Sequence, residues 1–152
     1  MNDIPPLSEP DESSEVRKQS LAETAAIASA IDSWYDQLGR QFGPLSRPQR
    51  RMLLLLSTDT MVRVSDLSEQ LGVTTAGTTR MLDKLESLGY AARSRMDQYD
   101  QRQVYVTLTP AGAVALREAE DIFLERVQTI LSKLSLTEQA TLAHLLQSLS
   151  DR

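Results

Sequence analysis

The sequence has no cysteine and a single histidine, His144. Disulfides, thiolate metal sites, cysteine nucleophiles and thiol redox sensing are therefore excluded, and a histidine-based metal site or two-histidine mechanism lacks its ligands. His144, beside Ala143 and Leu145, reads as a partly exposed helical residue. No apolar run approaches the roughly eighteen residues of a membrane helix; the run Met52-Leu53-Leu54-Leu55-Leu56 reads as core. The first residues, MNDIPPLSEPDESSEVRK, are polar and acidic without an apolar h-region, so no export signal is read and a cytoplasmic protein is expected. Also missing are a Ser-His-Asp set, a Gly-rich phosphate loop, H-E-x-x-H and C-x-x-C, so neither an enzyme nor a cofactor is expected.

What is present is an ordinary globular composition, 152 residues with 41% hydrophobic and 24% charged, from which one compact unit is expected. The net charge of -5 conceals a partition. Residues 1–43 carry three Lys/Arg against eight Asp/Glu, residues 44–110 carry nine against seven, and residues 111–152 carry four against six. Only the middle is net basic, and all of its cations except Lys84 are arginines, whose planar fork suits phosphates and guanine edges.

Residues 1–15, rich in Pro, Ser and acid, are expected to be a disordered tail. From Val16 to Phe42, Ile27, Ile31, Trp34, Leu38 and Phe42 recur every three or four residues, which predicts one long amphipathic helix ending at Gly43-Pro44. Ser46 is expected to cap a second helix with a stripe through Gln49, Met52, Leu53 and Leu56. Ser65 is a natural cap for a short helix carrying Leu67 and Leu71 and stopped by Gly72; Thr74 or Thr75 then opens another, with Met81, Leu82, Leu85 and Leu88 inward and Gly89 at its end. Two helices around a Gly-containing turn form a helix-turn-helix. After Gly89 the period changes: Tyr90 to Arg95 and Arg102 to Leu108 read as the strands of a hairpin with a polar tip, Met96 to Gln101. Thr109-Pro110 opens a helix through Val114, Ile122, Val127, Ile130 and Leu134, and Thr137 caps a last one with Leu142, Leu145, Leu146 and Leu149 on one side.

The fold class expected is mostly α with a small β-hairpin wing. A winged helix-turn-helix lobe at residues 44–110 lies between a dimerisation helix at 16–43 and C-terminal dimerisation helices at 111–152. In such a lobe the second helix enters the DNA major groove and the hairpin reaches the minor groove. At about 100° per residue, Thr78, Met81, Leu82, Leu85 and Leu88 share the buried side of that helix, Ala76, Arg80 and Lys84 form one outer row, and Thr75, Thr79 and Asp83 form the next. Threonine hydroxyls, a small methyl and arginine are the groups that approach base edges closely, and Gly77, costing about 1 kcal/mol relative to Ala in a helix, fits close backbone approach. The expected DNA-binding residues are Ser65, Thr74, Thr75, Ala76, Thr79, Arg80, Lys84, Arg93, Arg95, Asp100 and Arg102, with Asp100 orienting an arginine rather than meeting phosphate.

Three stretches resemble the MarR family of bacterial winged-helix transcriptional regulators: VSDLSEQLGVTTAGTTRMLDKLESLGY, the D-x-R signature Asp100-Gln101-Arg102, and Val106-Thr107-Leu108-Thr109-Pro110-Ala111-Gly112, similar to the family's L-T-x-x-G junction. The resemblance covers most of the chain and implies a homodimer whose terminal helices interlock and whose two lobes read an inverted repeat of double-stranded DNA, usually as a repressor. By position, Thr79-Arg80 matches the family's Thr-Arg pair in the recognition helix and Arg102 its wing arginine. Gly77 and the tip Met96-Asp97-Gln98-Tyr99 depart from the commoner pattern, so an operator sequence does not transfer. The apolar stripes agree with a dimer seam through Ile27, Ile31, Trp34, Leu38, Ile130, Leu134, Leu142, Leu145, Leu146 and Leu149. The resemblance further implies a small aromatic or phenolic effector, for which Trp34, Tyr35, Phe42 and Arg50 are candidates, although aromatics at helical spacing are more often core. The competing reading is a winged-helix module that uses the same surface for a protein partner, and salt dependence separates the two.

Overall fold

A computed structural model describes residues 12–59, 61–95 and 104–150. In chain order it comprises α1 (Glu12–Leu38), β1 (Gln41–Phe42), β2 (Leu45–Ser46), α2 (Arg47–Thr58), β3 (Val62–Arg63), α3 (Val64–Leu71), α4 (Thr75–Ser87), β4 (Ala91–Arg95), β5 (Val104–Leu108), α5 (Pro110–Leu131) and α6 (Leu136–Ser150). Among these residues no helix is long and apolar enough to cross a membrane. The chain separates into two units, Met1–Gln37 and Leu38–Arg152, rather than the single unit expected. From Val16 to Gln37 only Trp34 is half-buried, the other residues being exposed.

The end of α1 also differs from expectation. The helix stops at Leu38 because Gly39 turns left-handed at φ +73°, a conformation an L side chain rarely adopts. Phe42 is in phase with the helical stripe but belongs to β1, which pairs antiparallel with β2 (Phe42 opposite Leu45) around Gly43-Pro44. Phe42 and Leu45 are fully buried. Two arginines hold the segment after α1: Arg126 donates from one Nη1 to the carbonyls of Leu38 and Gln41 (both 2.8 Å), and Arg47 donates to that of Gly39 (2.6 Å).

The core of the second unit joins Met52, Leu53 and Leu56 of α2 to Leu67 of α3, Leu82 and Leu85 of α4, Val106 of β5, and Leu116 and Ala119 of α5. On α2 the stripe is as expected, and at its start the Ser46 N–H donates to Gln49 Oε1 (2.9 Å). Leu88 departs from expectation: it follows the end of α4 and is exposed. A three-stranded antiparallel sheet in the order β3-β5-β4 closes the lobe, with Val62 opposite Val106 and Arg93 opposite Val106 on its other side. β3 was not anticipated, being only two residues long.

The junction into α5 is built as the Thr-Pro pair suggests. The Thr109 hydroxyl accepts from the Gly112 N–H (3.0 Å) and donates to the Gly89 carbonyl (2.6 Å), so one side chain both caps α5 and ties it to the end of α4. Thr109→Ala is expected to lower unfolding free energy by about 1–2 kcal/mol, the upper part of the range for a lost N-cap, measurable by urea titration. A loss below a few tenths would remove the cap from the account.

After α5 the chain turns through Leu134, whose N–H bonds the Leu131 carbonyl, so Leu134 lies outside the helix in which it was expected. Ser135, not Thr137, caps α6: its N–H and hydroxyl reach Glu138 Oε2 (2.8 Å each). Those two bonds, the backbone one foremost, hold the Glu138 carboxyl below its ordinary pKa. α6 buries no residue, and Leu145, Leu146 and Leu149 face outward.

Candidate nucleic-acid interface

α3 and α4 meet through apolar side chains, Leu67 on one and Leu82 and Leu85 on the other, plus one buried polar pair. The Ser68 hydroxyl lies 2.9 Å from both the Val64 carbonyl and the Thr78 hydroxyl. An unmade hydrogen bond there would cost about 1–3 kcal/mol, so this contact favours one packing of the two helices. Gly72 makes the turn between them at φ +65°. Thr74 then caps α4, accepting from the Gly77 N–H at 3.1 Å.

With the inner side of α4 fixed by Thr78, Leu82 and Leu85, its outer residues follow. Thr75, Ala76, Thr79, Arg80, Asp83 and Lys84 are all exposed, as the helical rotation predicts, and Thr74 is exposed at the start. Gly77 has a local reason: a Cβ there would stand 3.3 Å from the capping Thr74 Oγ1. Ser65 is exposed but is not the cap of α3. That helix starts at Val64, so Ser65 lies in its first turn and donates to Asp66 Oδ1 at 3.1 Å.

Arg63, exposed as the last residue of β3 and immediately before α3, adds a cation beside Ser65 that sequence reasoning did not select. Its signal was hidden because a two-residue strand shows no alternation.

The wing residues divide. Arg93, expected to face DNA, is turned against α4. Its Nη1 donates to Asp83 Oδ1 (2.6 Å) and Glu86 Oε2 (2.5 Å), its Nη2 donates to the Thr79 carbonyl (3.0 Å), and its backbone N–H donates to Glu86 Oε1 (2.8 Å). The physical cause is sheet alternation: Arg93 shares a face of β4 with buried Ala91, and that face looks inward. Arg95 ends β4 opposite Val104. Asp100 and Arg102 lie outside the described residues, as do the tip residues Met96 to Tyr99.

Of the effector candidates, Phe42 and Arg50 come together in the interior. Phe42 meets Phe123 edge to face with centroids 5.7 Å apart, and the Arg50 guanidinium stacks 3.7 Å above Phe123 while pairing with Glu120 (Nε to Oε1 2.7 Å, Nη2 to Oε2 3.0 Å). Phe42 is thus a core residue rather than a helix-surface aromatic, and the charge of Arg50 is matched by Glu120. Trp34 and Tyr35 lie on α1, half-buried and exposed respectively.

The residues expected at a dimer seam keep much of their apolar surface open in the single chain. Ile27, Ile31, Leu145, Leu146 and Leu149 are exposed, while Trp34, Leu38, Ile130, Leu134 and Leu142 are half-buried.

A helix-turn-helix whose second helix presents small and cationic residues, followed by a two-stranded wing that pairs with β3 and by a capped helix, defines the winged helix-turn-helix class. Residues 45–104 match the model of the MarR family, and the lobe resembles that of a MarR-family transcriptional regulator. Over 65 residues the chain is 40% identical to an uncharacterised HTH-type transcriptional regulator, YfiV, of Bacillus subtilis (43% of this chain, 40% of the relative). Over 92 residues it is 33% identical to the organic hydroperoxide resistance transcriptional regulator of the same organism (57% of this chain, 62% of the relative). The chain therefore spans less than two thirds of either curated relative. Across a longer stretch the fold matches the crystal structure of wild-type MarR from E. coli in its apo form, with TM-score 0.72 and 25% identity over 83% of this chain and 95% of that one.

Proposed function

We propose that the lobe binds double-stranded DNA with α4 in the major groove, and that two copies of the chain form a homodimeric transcriptional regulator, a repressor acting on an inverted repeat. The observation that carries the reading is the outer face of α4. Thr75, Thr79, Ala76 and Arg80 stand exposed together on a helix whose opposite side is locked into the lobe core. These groups can hydrogen-bond base edges, touch thymine methyls and pair with guanine, whereas an idle solvated face more usually carries Glu/Lys pairs. Exposed Arg63 and Ser65 at the start of α3 and Thr74 at the start of α4 add a cation and two hydroxyls suited to phosphate. Arg95, Asp100 and Arg102 belong to the wing part of the proposal. In support, a mutant of MarR from E. coli has been solved in complex with operator DNA, on a fold that matches this chain's with TM-score 0.68 and 24% identity. Release by a small aromatic or phenolic effector belongs to the same reading, but Phe42 and Arg50 do not carry it, being committed to the core and to Glu120.

The test is selection from a random duplex pool by the purified protein, followed by anisotropy titration of the enriched duplex across salt. The expected outcome is an inverted repeat with half-site centres about 10 base pairs apart and a steep log-linear loss of affinity with salt. Arg80→Ala is expected to cost about 1–3 kcal/mol on that duplex and to relax preference at one base-pair position of each half-site. No enriched motif, with salt-insensitive capture of a protein instead, would replace this reading with the protein-interaction module.

A further inference from the structure

We infer that Arg93 is a positioning residue for DNA recognition: it does not touch DNA but braces β4 against α4 and so fixes how the outer rows of α4 are presented. The inference rests on the DNA-binding reading and adds to it a residue whose geometry excludes the role its charge suggests. Three N–H groups of the guanidinium are spent on α4, on Asp83, on Glu86 and on the Thr79 carbonyl. The last of these is a backbone atom in the middle of the helix, from the same row as exposed Thr79 and Asp83. Glu86 closes the brace from the other side, one carboxylate oxygen on the Arg93 side chain and the other on the Arg93 backbone N–H. The wing strand is therefore tied through both its backbone and its side chain to successive turns of the helix.

Charge and burial point the same way. The Arg93 and Glu86 side chains keep 24% and 30% of their surface, so this pair is screened less than an exposed one, while Asp83 keeps 59%. To reach a phosphate, Arg93 would have to leave two carboxylates and strand them beside a polyanion, so the bonds it makes oppose that move. Asp83 has a complementary role. A carboxylate on the outer side of a DNA-facing helix repels phosphate, and here its charge is matched by a cation that aligns the helix. A lysine has the charge but no planar fork, so it cannot serve two carboxylates and a carbonyl in the same way.

The experiment titrates wild type, Arg93→Ala, Arg93→Lys, Asp83→Asn and the Arg93→Ala, Asp83→Asn double variant. Each is tested against the enriched duplex and a scrambled duplex of equal length over a range of salt. The expected result for Arg93→Ala is about tenfold weaker binding to the enriched duplex, about 1.4 kcal/mol. Binding to the scrambled duplex stays within about twofold, and the salt slope stays near wild type, because no phosphate contact, each worth about 0.9 in the slope, has been lost. Arg93→Lys recovers only part of the loss, and the double variant is no weaker than Arg93→Ala alone, since the two residues act as one unit. Equal weakening on both duplexes with the slope lower by about one would place Arg93 on a phosphate and overturn the inference; so would additive losses, or unchanged selectivity. If Arg93→Ala melts the lobe in a thermal scan, Arg93→Lys and Asp83→Asn decide by the same selectivity and slope criteria. A wild type that enriches no duplex is seen before any variant is made; it sinks the DNA-binding reading, and this inference with it.

Discussion

Gly112→Ala is expected to destabilise the lobe by at least about 3 kcal/mol, the upper end of the usual range for overpacking. Gly112 lies in the first turn of α5, buried where that helix crosses the start of the wing. A Cβ built on it would stand 2.0 Å from the Tyr90 carbonyl oxygen, 2.8 Å from the Tyr90 carbonyl carbon and 2.9 Å from Leu108 Cδ1. The oxygen is backbone and already accepts the Thr109 N–H at 3.2 Å, so it cannot swing aside as the end of a long side chain can. Relief requires α5 to lift away from the wing, and that movement would also strain the Thr109 bond to Gly89. Domains of this size lose roughly 2–4 °C in melting temperature per kcal/mol, so the expected drop is about 6–12 °C by calorimetry or circular dichroism. Gly77→Ala is the comparison that isolates the cause. It also adds one methyl to a helical glycine, but its nearest neighbour is a hydroxyl at 3.3 Å, and the intrinsic helix preference of about 1 kcal/mol favours alanine there. A Gly112→Ala protein that melts with the wild type would mean that α5 and the wing can separate freely.

The same position shows how much the sequence disclosed. Gly112 was recognisable within a family junction motif, and Thr109-Pro110 announced the helix start by cap chemistry alone, but only the crossing of Tyr90 explains why the third position after the cap excludes a methyl. Local rules served well where one residue decides the outcome. Thr74 caps, Gly72 turns, and the inner side of α4 follows from rotation, which left the outer rows correctly placed. They failed where two signals overlapped or where the element was too short to carry a period. Phe42 continues the spacing of α1, so the break at Gly39 was masked by coincidence, and β1, β2 and β3 each contain two residues. Ser65 looked like a cap because its residue type is right, yet α3 begins before it. The charge of Arg93 alone points it toward DNA. Its partners lie seven to fourteen positions away on another element, and nothing in a local window reveals that a basic strand residue is turned toward acids on the preceding helix.

The second large effect concerns assembly. Ile31 and Leu145 are 52% and 56% exposed in the single chain, and each belongs to a helix with further open apolar residues, Ile27 on α1 and Leu149 on α6. Because neither side chain supports the lobe core, Ile31→Asp with Leu145→Asp is expected to leave the lobe folded. Under the proposed twofold assembly these positions enter a seam, where an unpaired carboxylate shut away from water costs several kcal/mol and is introduced twice per residue by symmetry. The double variant should then sediment at the 16.9 kDa of one chain, with the wild type near twice that mass. Binding to the inverted repeat should weaken by about 10²–10⁴, because a half-site bound by one lobe no longer holds the second at high effective concentration. A single half-site duplex serves as the control and should bind variant and wild-type lobes alike. A variant that remains dimeric would move the seam to other faces of α1 and α6. A monomer that still held the full repeat as tightly as the wild type would remove dimerisation from the mechanism and leave α4 as a reader that works alone.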